Sequence, residues 1–157
     1  MERISKVEYI IIHHSQRDLD FPAFIRLRHR HLRGWEEIGY HFLIGNGSLF
    51  TEDGKLYIGR PEHLVGAHAL GYNRASLGIC LIGNLDITKP TERQLETLTR
   101  LLREKMKQYR IPSDNIRGHG GLPNIRKSCP GRNLDINYIK NGLYEPSETS
   151  SGQQLVI

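Results

Sequence analysis

The sequence predicts an α/β domain, a mixed β-sheet flanked by helices. Three observations carry that expectation. The run Val7 to Ser15 is β-branched and aromatic, which reads as an interior strand. Ser76 to Gly83 is apolar almost throughout, as a strand buried on both faces would be, and is expected at the centre of the sheet. Two further stretches, Asp20 to Gly34 and Thr91 to Tyr109, place apolar residues at helical spacing. At 157 residues the chain fits one domain, large enough to bury a core without disulfide staples.

The first strand ends on a histidine pair. Side chains alternate faces along a strand, so His13 joins Val7, Tyr9 and Ile11 while His14 joins Glu8, Ile10 and Ile12. In the helix that follows, Asp20 offers a cap and Pro22 suits the first turn. Phe24, Leu27, Arg28, His31 and Leu32 recur on one face until Gly34 stops it. The other face is basic, as a solvated helix face usually is. Gly34 to Gly39 turns into a strand ending at Gly45, where Asn46-Gly47 is the strongest hairpin signal in the chain, so strand, turn and strand are expected. Glu52 to Lys55 makes a second turn before a short strand from Leu56 to Arg60, and Gly66 to Asn73 is a small-residue loop. Thr91 and Gln94 form a capping box, opening a helix whose Leu95, Leu98, Leu101, Leu102, Met106 and Tyr109 make one apolar stripe. Asn115 to Arg117 is a short run, and Leu134 to Lys140 reads as a last short helix. From Glu145 onward the composition is polar, with Pro, Ser, Thr and Gly, and is expected to form a disordered tail.

Composition narrows the function classes. The two cysteines, Cys80 and Cys129, form no disulfide framework, and Cys80 lies in an apolar run where a thiol usually packs. No signal peptide is read at the start and no stretch is long enough to span a bilayer, so synthesis in the cytoplasm is expected. A net charge of +5 and a pI near 9.4 favour an anionic partner: nucleic acid, a bacterial wall polymer or anionic lipid. Nucleic acid is the least supported, because the arginine-rich helix interleaves histidines rather than the aromatic residues that stack on bases.

Chemistry concentrates in Arg117 to Gly131, where glycine and proline allow neither helix nor strand to persist and the backbone can double back. It holds His119 and Cys129, ten positions apart. Zinc accepts neutral imidazole and thiolate in one tetrahedral shell, and a catalytic site needs three protein ligands with the fourth position left to water. One histidine of the pair at the end of the first strand completes such a set, although strand alternation alone does not choose between His13 and His14. An open three-ligand site is hydrolytic in character, since zinc lowers the pKa of a bound water to roughly 7 and polarises a scissile carbonyl. A developing oxyanion then needs donors. Lys127, two residues before Cys129, and Tyr40, with its phenolic hydroxyl on a neighbouring strand, are the candidates.

Five blocks extend this constellation along residues 7 to 131. They are Ile11-Ile12-His13-His14-Ser15, Gly34-Trp35 through Gly39-Tyr40-His41-Phe42, Gly66-Ala67-His68-Ala69 through Asn73, Leu77-Gly78-Ile79, and His119 through Lys127-Ser128-Cys129-Pro130-Gly131. In these blocks and their order the chain resembles the zinc-dependent N-acetylmuramoyl-L-alanine amidases, the superfamily that joins phage lysozyme-type amidases, bacterial recycling amidases and peptidoglycan recognition proteins. The resemblance implies that fold, with residues 1–144 as the catalytic domain. It implies Zn2+ held by His13, His119 and Cys129, with His14 supporting. Tyr40 and Lys127 match the residues that assist hydrolysis, and His68 and Asn73 fall in a segment lining the glycopeptide groove. The implied reaction is hydrolysis of the amide between the lactyl group of N-acetylmuramic acid and L-alanine, acting on peptidoglycan or a muropeptide, with the protein a monomer. A phage-type lysin of this kind would act on the cell wall after release. The alternative is a muramyl-peptide-binding protein without activity, as arises when a zinc ligand is lost, and Cys129 stands against it. The chain mixes two patterns: its cysteine ligand matches the lysozyme-type members, whereas its gap between late histidine and cysteine matches the recycling amidases, which use an aspartate there.

Overall fold

The computed structural model describes residues 1–143. The tail expected from Glu145 lies outside them. The strands are β1 (Tyr9–His14), β2 (Phe42–Ile44), β3 (Leu56–Ile58), β4 (Ser76–Leu81) and β5 (Ile116–Gly118), and the helices are α1 (Pro22–Arg33), α2 (Glu92–Tyr109) and α3 (Ile136–Gly142). They form one mixed sheet in the order β3-β2-β4-β1-β5. β1 pairs in parallel with both β4 and β5, β2 pairs in parallel with β4, and only the edge strand β3 is antiparallel to its neighbour. The doubly apolar β4 is therefore central, and every one of its six residues is buried.

The two faces have different cores. Ile10 and Ile12 of β1, Phe42 and Ile44 of β2, and Leu77, Ile79 and Leu81 of β4 pack against Leu98, Leu101 and Leu102 of α2 and Ile139 of α3. α2 begins at the capping box, with the Thr91 hydroxyl accepting from Gln94 N and the Gln94 side chain accepting from Thr91 N. On the opposite face Leu43, Cys80 and Ile82 meet Ile25 of α1 and Ile38, and Ile11 meets Ala69 and Leu122. Alternation along β1 thus sends His13 to the α1 side and His14 to the α2 side.

Three local expectations are corrected. α1 turns Ile25 and His29 inward, and the stripe of Phe24, Leu27 and Leu32 is left outside at 38%, 50% and 79% exposure. One β-branched residue, packed on Ile38, Leu43, Cys80 and Ile82, and one histidine that is hydrogen-bonded through its ring make the inward ridge in place of the longer apolar pattern. Asp20 caps nothing. The N-cap is Phe21 and has no side-chain bond, while Asp20, 1% exposed, receives both terminal nitrogens of Arg28 at 2.5 and 2.8 Å. No separate strand follows Asn46-Gly47. The Asn46 side chain accepts from Ser48 N and the Thr51 hydroxyl and donates to Asp18 O, so 46–51 curls into a compact turn and β2 pairs directly with β3.

Candidate metal centre

β1 and β5 are adjacent parallel strands in which Ile12 pairs with Gly118. The next residue on each is a histidine, so His13 and His119 emerge side by side at the C-terminal edge of the sheet, where open α/β folds place ligands. Their ring centroids are 4.6 Å apart. The chain after His119 makes one 3-10 turn and returns, with Gly120 N donating to Cys129 O at 2.6 Å. A side chain at position 120 would collide with the Lys127 carbonyl, so this return needs glycine. It brings the Cys129 sulfur to 3.7 Å from His13 Nδ1.

One ligand atom from each of His13, His119 and Cys129 lies within 4.8 Å of the others, and the 3.7 Å between Cys129 Sγ and His13 Nδ1 is close to the ligand-to-ligand distance set by a tetrahedral ion with bonds of about 2.0–2.3 Å. Hydrogen bonding also fixes which His13 nitrogen is free. The Ser76 hydroxyl donates to Tyr72 O at 2.8 Å, which leaves its oxygen to accept from His68 Nε2 at 3.4 Å. His68 Nδ1 then accepts from His13 Nε2 at 3.1 Å, and His13 Nδ1 keeps its lone pair toward Cys129 and His119. The donor set is two imidazoles and a thiol, which suits zinc, and the residues fit such an ion.

Protonation follows from burial. Desolvation first, then the neighbouring His68, His119 and His14 and the Lys127 ammonium, holds His13 well below the usual histidine range. Burial followed by Lys127 lowers His119. Both imidazoles are therefore neutral at pH 7 and able to ligate. Burial pushes the Cys129 thiol up to about 11 against the opposing pull of a backbone bond at His14 and of Lys127, so it must give up a proton to become a ligand.

The ligands form the floor of a pocket of about 380 Å³, walled by Arg28, His29 and Arg33 of α1 together with Trp35, Tyr40, His68 and Lys127. Tyr40 packs its ring 5.1 Å from that of His13, and burial raises its hydroxyl well above the usual phenol range, keeping it a proton donor. Lys127 lies at the rim, exposed. His68 is in the wall, yet both its ring nitrogens are engaged, by His13 and Ser76. Asn73 folds under the loop instead of facing the pocket, its side-chain oxygen accepting from His68 N and Ala69 N. His14 faces away and accepts from Leu85 N through Nδ1.

Some supporting residues escape a linear reading. His29, in a run of basic residues, is buried, accepts from Gly39 N and packs against Trp35 and Tyr40. Asp86 accepts from the Ser128 hydroxyl and Arg132 N and so braces the cysteine loop from a segment over forty residues earlier. Nothing in its own neighbourhood marks that contact. Gly78 is the exception, being visible within a block of the sequence: a methyl group there would stand 2.6 to 2.8 Å from the His68 ring.

Comparison with known proteins bears on this geometry. The family model described as N-acetylmuramoyl-L-alanine amidase matches residues 3–132. The endolysin of Enterobacteria phage T3 is 35% identical over 116 residues, covering 71% of this chain and 70% of that protein. A human N-acetylmuramoyl-L-alanine amidase is 36% identical over 105 residues, 66% of this chain, but the match spans only 17% of the human protein. Among solved structures, the N-acetylmuramoyl-L-alanine amidase LysC from Clostridium intestinale URNW superposes with a TM-score of 0.79 at 35% identity, covering 88% of this chain and 85% of that one. The ectodomain complex of peptidoglycan recognition proteins LCa and LCx bound to tracheal cytotoxin gives 0.73 at 31% identity, covering 89% and 85%. With the family model spanning most of its length, the chain belongs to the N-acetylmuramoyl-L-alanine amidase family.

Proposed function

We propose that this protein is a zinc-dependent N-acetylmuramoyl-L-alanine amidase that hydrolyses the amide between the lactyl group of N-acetylmuramic acid and L-alanine in peptidoglycan, in the service of cell-wall lysis. The observation that carries the reading is the convergence of His13 Nδ1, His119 and the Cys129 sulfur within 4.8 Å on the floor of an open pocket. When bound there, zinc supplies a water of lowered pKa and polarises the scissile carbonyl. His13 and His119 offer neutral imidazole, and His68 holds the His13 ring by its outer nitrogen. Lys127 brings a positive charge to the rim, where the carbonyl oxygen gains negative charge. Tyr40, protonated across the working range, donates a hydrogen bond and positions the nucleophile. His68 and Asn73 act on substrate through the loop they shape, and His68 also forms part of the pocket wall.

Residues 1–144 constitute the catalytic domain in this reading. The partner is peptidoglycan or a soluble muropeptide, supported by relatives named as amidase and endolysin and by a neighbour bound to tracheal cytotoxin. A phage-type lysin of this kind reaches the wall after release from the cell. The test is product identification. Purified peptidoglycan and soluble muropeptides are digested, and the products are examined by mass spectrometry. Free peptides beginning with L-alanine, with intact glycan strands bearing lactyl carboxylates, are expected; cleavage only within the peptide or the glycan would overturn the reading.

A further inference from the structure

Of the eleven large apolar side chains that the described residues leave exposed, six come from two short segments: Leu19, Phe24, Leu27, Leu32, Leu49 and Phe50. Those segments fold against one another. Asn46 Nδ2 donates to Asp18 O at 2.9 Å, and the Phe21 ring lies 4.9 Å from Phe50 and 5.8 Å from Phe24. Elsewhere the exposed apolar residues are scattered, which is ordinary; Phe24 and Leu27 on one helix face, with Phe50 brought beside them through the Phe21 ring, are not. On α1 the arrangement is ordered, because Leu27 and Phe24 share the outward face while Ile25 and His29 take the inward one.

Charge identifies what this face meets. α1 contains Arg26, Arg28, Arg30 and Arg33 and no acidic residue. By helical geometry the outward pair Phe24 and Leu27 lies between Arg28 on one side and Arg30 on the other. Arg26 is paired with Glu37 and Arg28 with Asp20, but Arg30 is exposed, as is Arg17 just before the helix. Apolar tips flanked by guanidiniums are the signature of a helix lying in a lipid headgroup layer, where the tips enter the acyl boundary and long basic side chains reach phosphates. No helix among the described residues is long and apolar enough to cross a membrane.

We propose that the face formed by α1 and the 46–51 turn docks on an anionic phospholipid surface, with Phe24, Leu27 and Phe50 entering the headgroup boundary and Arg17 and Arg30 meeting lipid phosphates. Leu32 and Arg33 belong both to α1 and to the wall of the metal pocket, so docking holds the pocket mouth beside the membrane. The proposal does not depend on the amidase reading.

The experiment is co-sedimentation of the full chain with vesicles of phosphatidylglycerol and phosphatidylcholine, compared with vesicles of phosphatidylcholine alone. The protein is expected to sediment with the anionic vesicles, to leave them as salt is raised, and to remain largely in solution with the neutral ones. The double variant Phe24→Ser, Leu27→Ser and the single variant Arg30→Glu should each lower the vesicle partition by about tenfold or more, with the chain still folded by circular dichroism. Three results would overturn the proposal. One is wild-type protein left in solution with anionic vesicles or bound equally to both kinds. Another is a double variant that sediments as the wild type does. The third is a wild-type chain that self-associates through this face without binding vesicles, which would assign it to a second copy.

Discussion

The smallest scale at which the site can be tested is a single ligand atom. Cys129 and Cys80 are both buried thiols, at 7% and 0% exposure, but only Cys129 points at two imidazoles. Cys129→Ser is expected to abolish hydrolysis with the fold intact, whereas Cys80→Ser, which keeps a polar atom beside the Tyr40 hydroxyl, should be far milder for catalysis. Equal losses in two folded variants would remove Cys129 from the ligand set. Because the Cys129 thiol is raised to about 11, metal uptake at neutral pH must release its proton. Zinc affinity should therefore rise by roughly tenfold per pH unit between pH 7 and 9, provided the histidines are already neutral, and titration calorimetry in buffers of different ionisation enthalpy reads the proton directly. Lys127→Ala and Tyr40→Phe, by contrast, should keep the metal and lower turnover by about a hundredfold to a thousandfold each, the usual cost of removing one oxyanion donor. Near-normal turnover in both would leave the metal to act without them.

At the level of elements, the site exists because β1 and β5 are parallel neighbours whose C-terminal ends each continue into a histidine. A linear reading finds both histidines, the cysteine and the glycine-rich return between them, since each is marked by residue type and spacing. It leaves open which histidine of the pair faces His119 and Cys129; that depends on which side of the sheet α1 covers, a tertiary fact decided by Ile25 and Ile38 against Leu43 and Cys80. It does not find the bond from His68 to His13, which joins positions 55 residues apart and which no local pattern encodes. The outward stripe of α1 misleads for a related reason: periodicity reports an apolar face without saying what that face meets. The central strand offers a test of the supporting shell. Gly78→Ala would place a methyl group against the His68 ring, displacing the group that fixes His13. Zinc affinity should fall by about tenfold to a hundredfold, as is usual when an outer partner of a ligating histidine is lost. A competition assay with a coloured chelator measures it, and unchanged affinity would mean that His68 does not hold the ligand.

For the whole molecule, two buried histidines away from the ligand set link the fold to pH. His41 accepts from Gly78 N and reaches Leu64 O, and His29 accepts from Gly39 N; burial in each case is the main cause that lowers the ring to about 4. The unfolded chain, with histidines near 6.5, binds more protons than the folded one between pH 6.5 and 4, so stability falls as pH drops through that window. The loss should be on the order of a few kcal/mol, visible as a declining denaturant midpoint; a flat profile over the window would show these rings to be solvated. The central claim concerns the metal, and its most direct measurement is the zinc content of the purified, active protein by elemental analysis, alongside its activity after exposure to a strong chelator. The account predicts one zinc per chain, activity that disappears with the metal and returns when zinc is restored, and little metal in Cys129→Ser. An active enzyme without stoichiometric zinc, or one indifferent to the chelator, would contradict it.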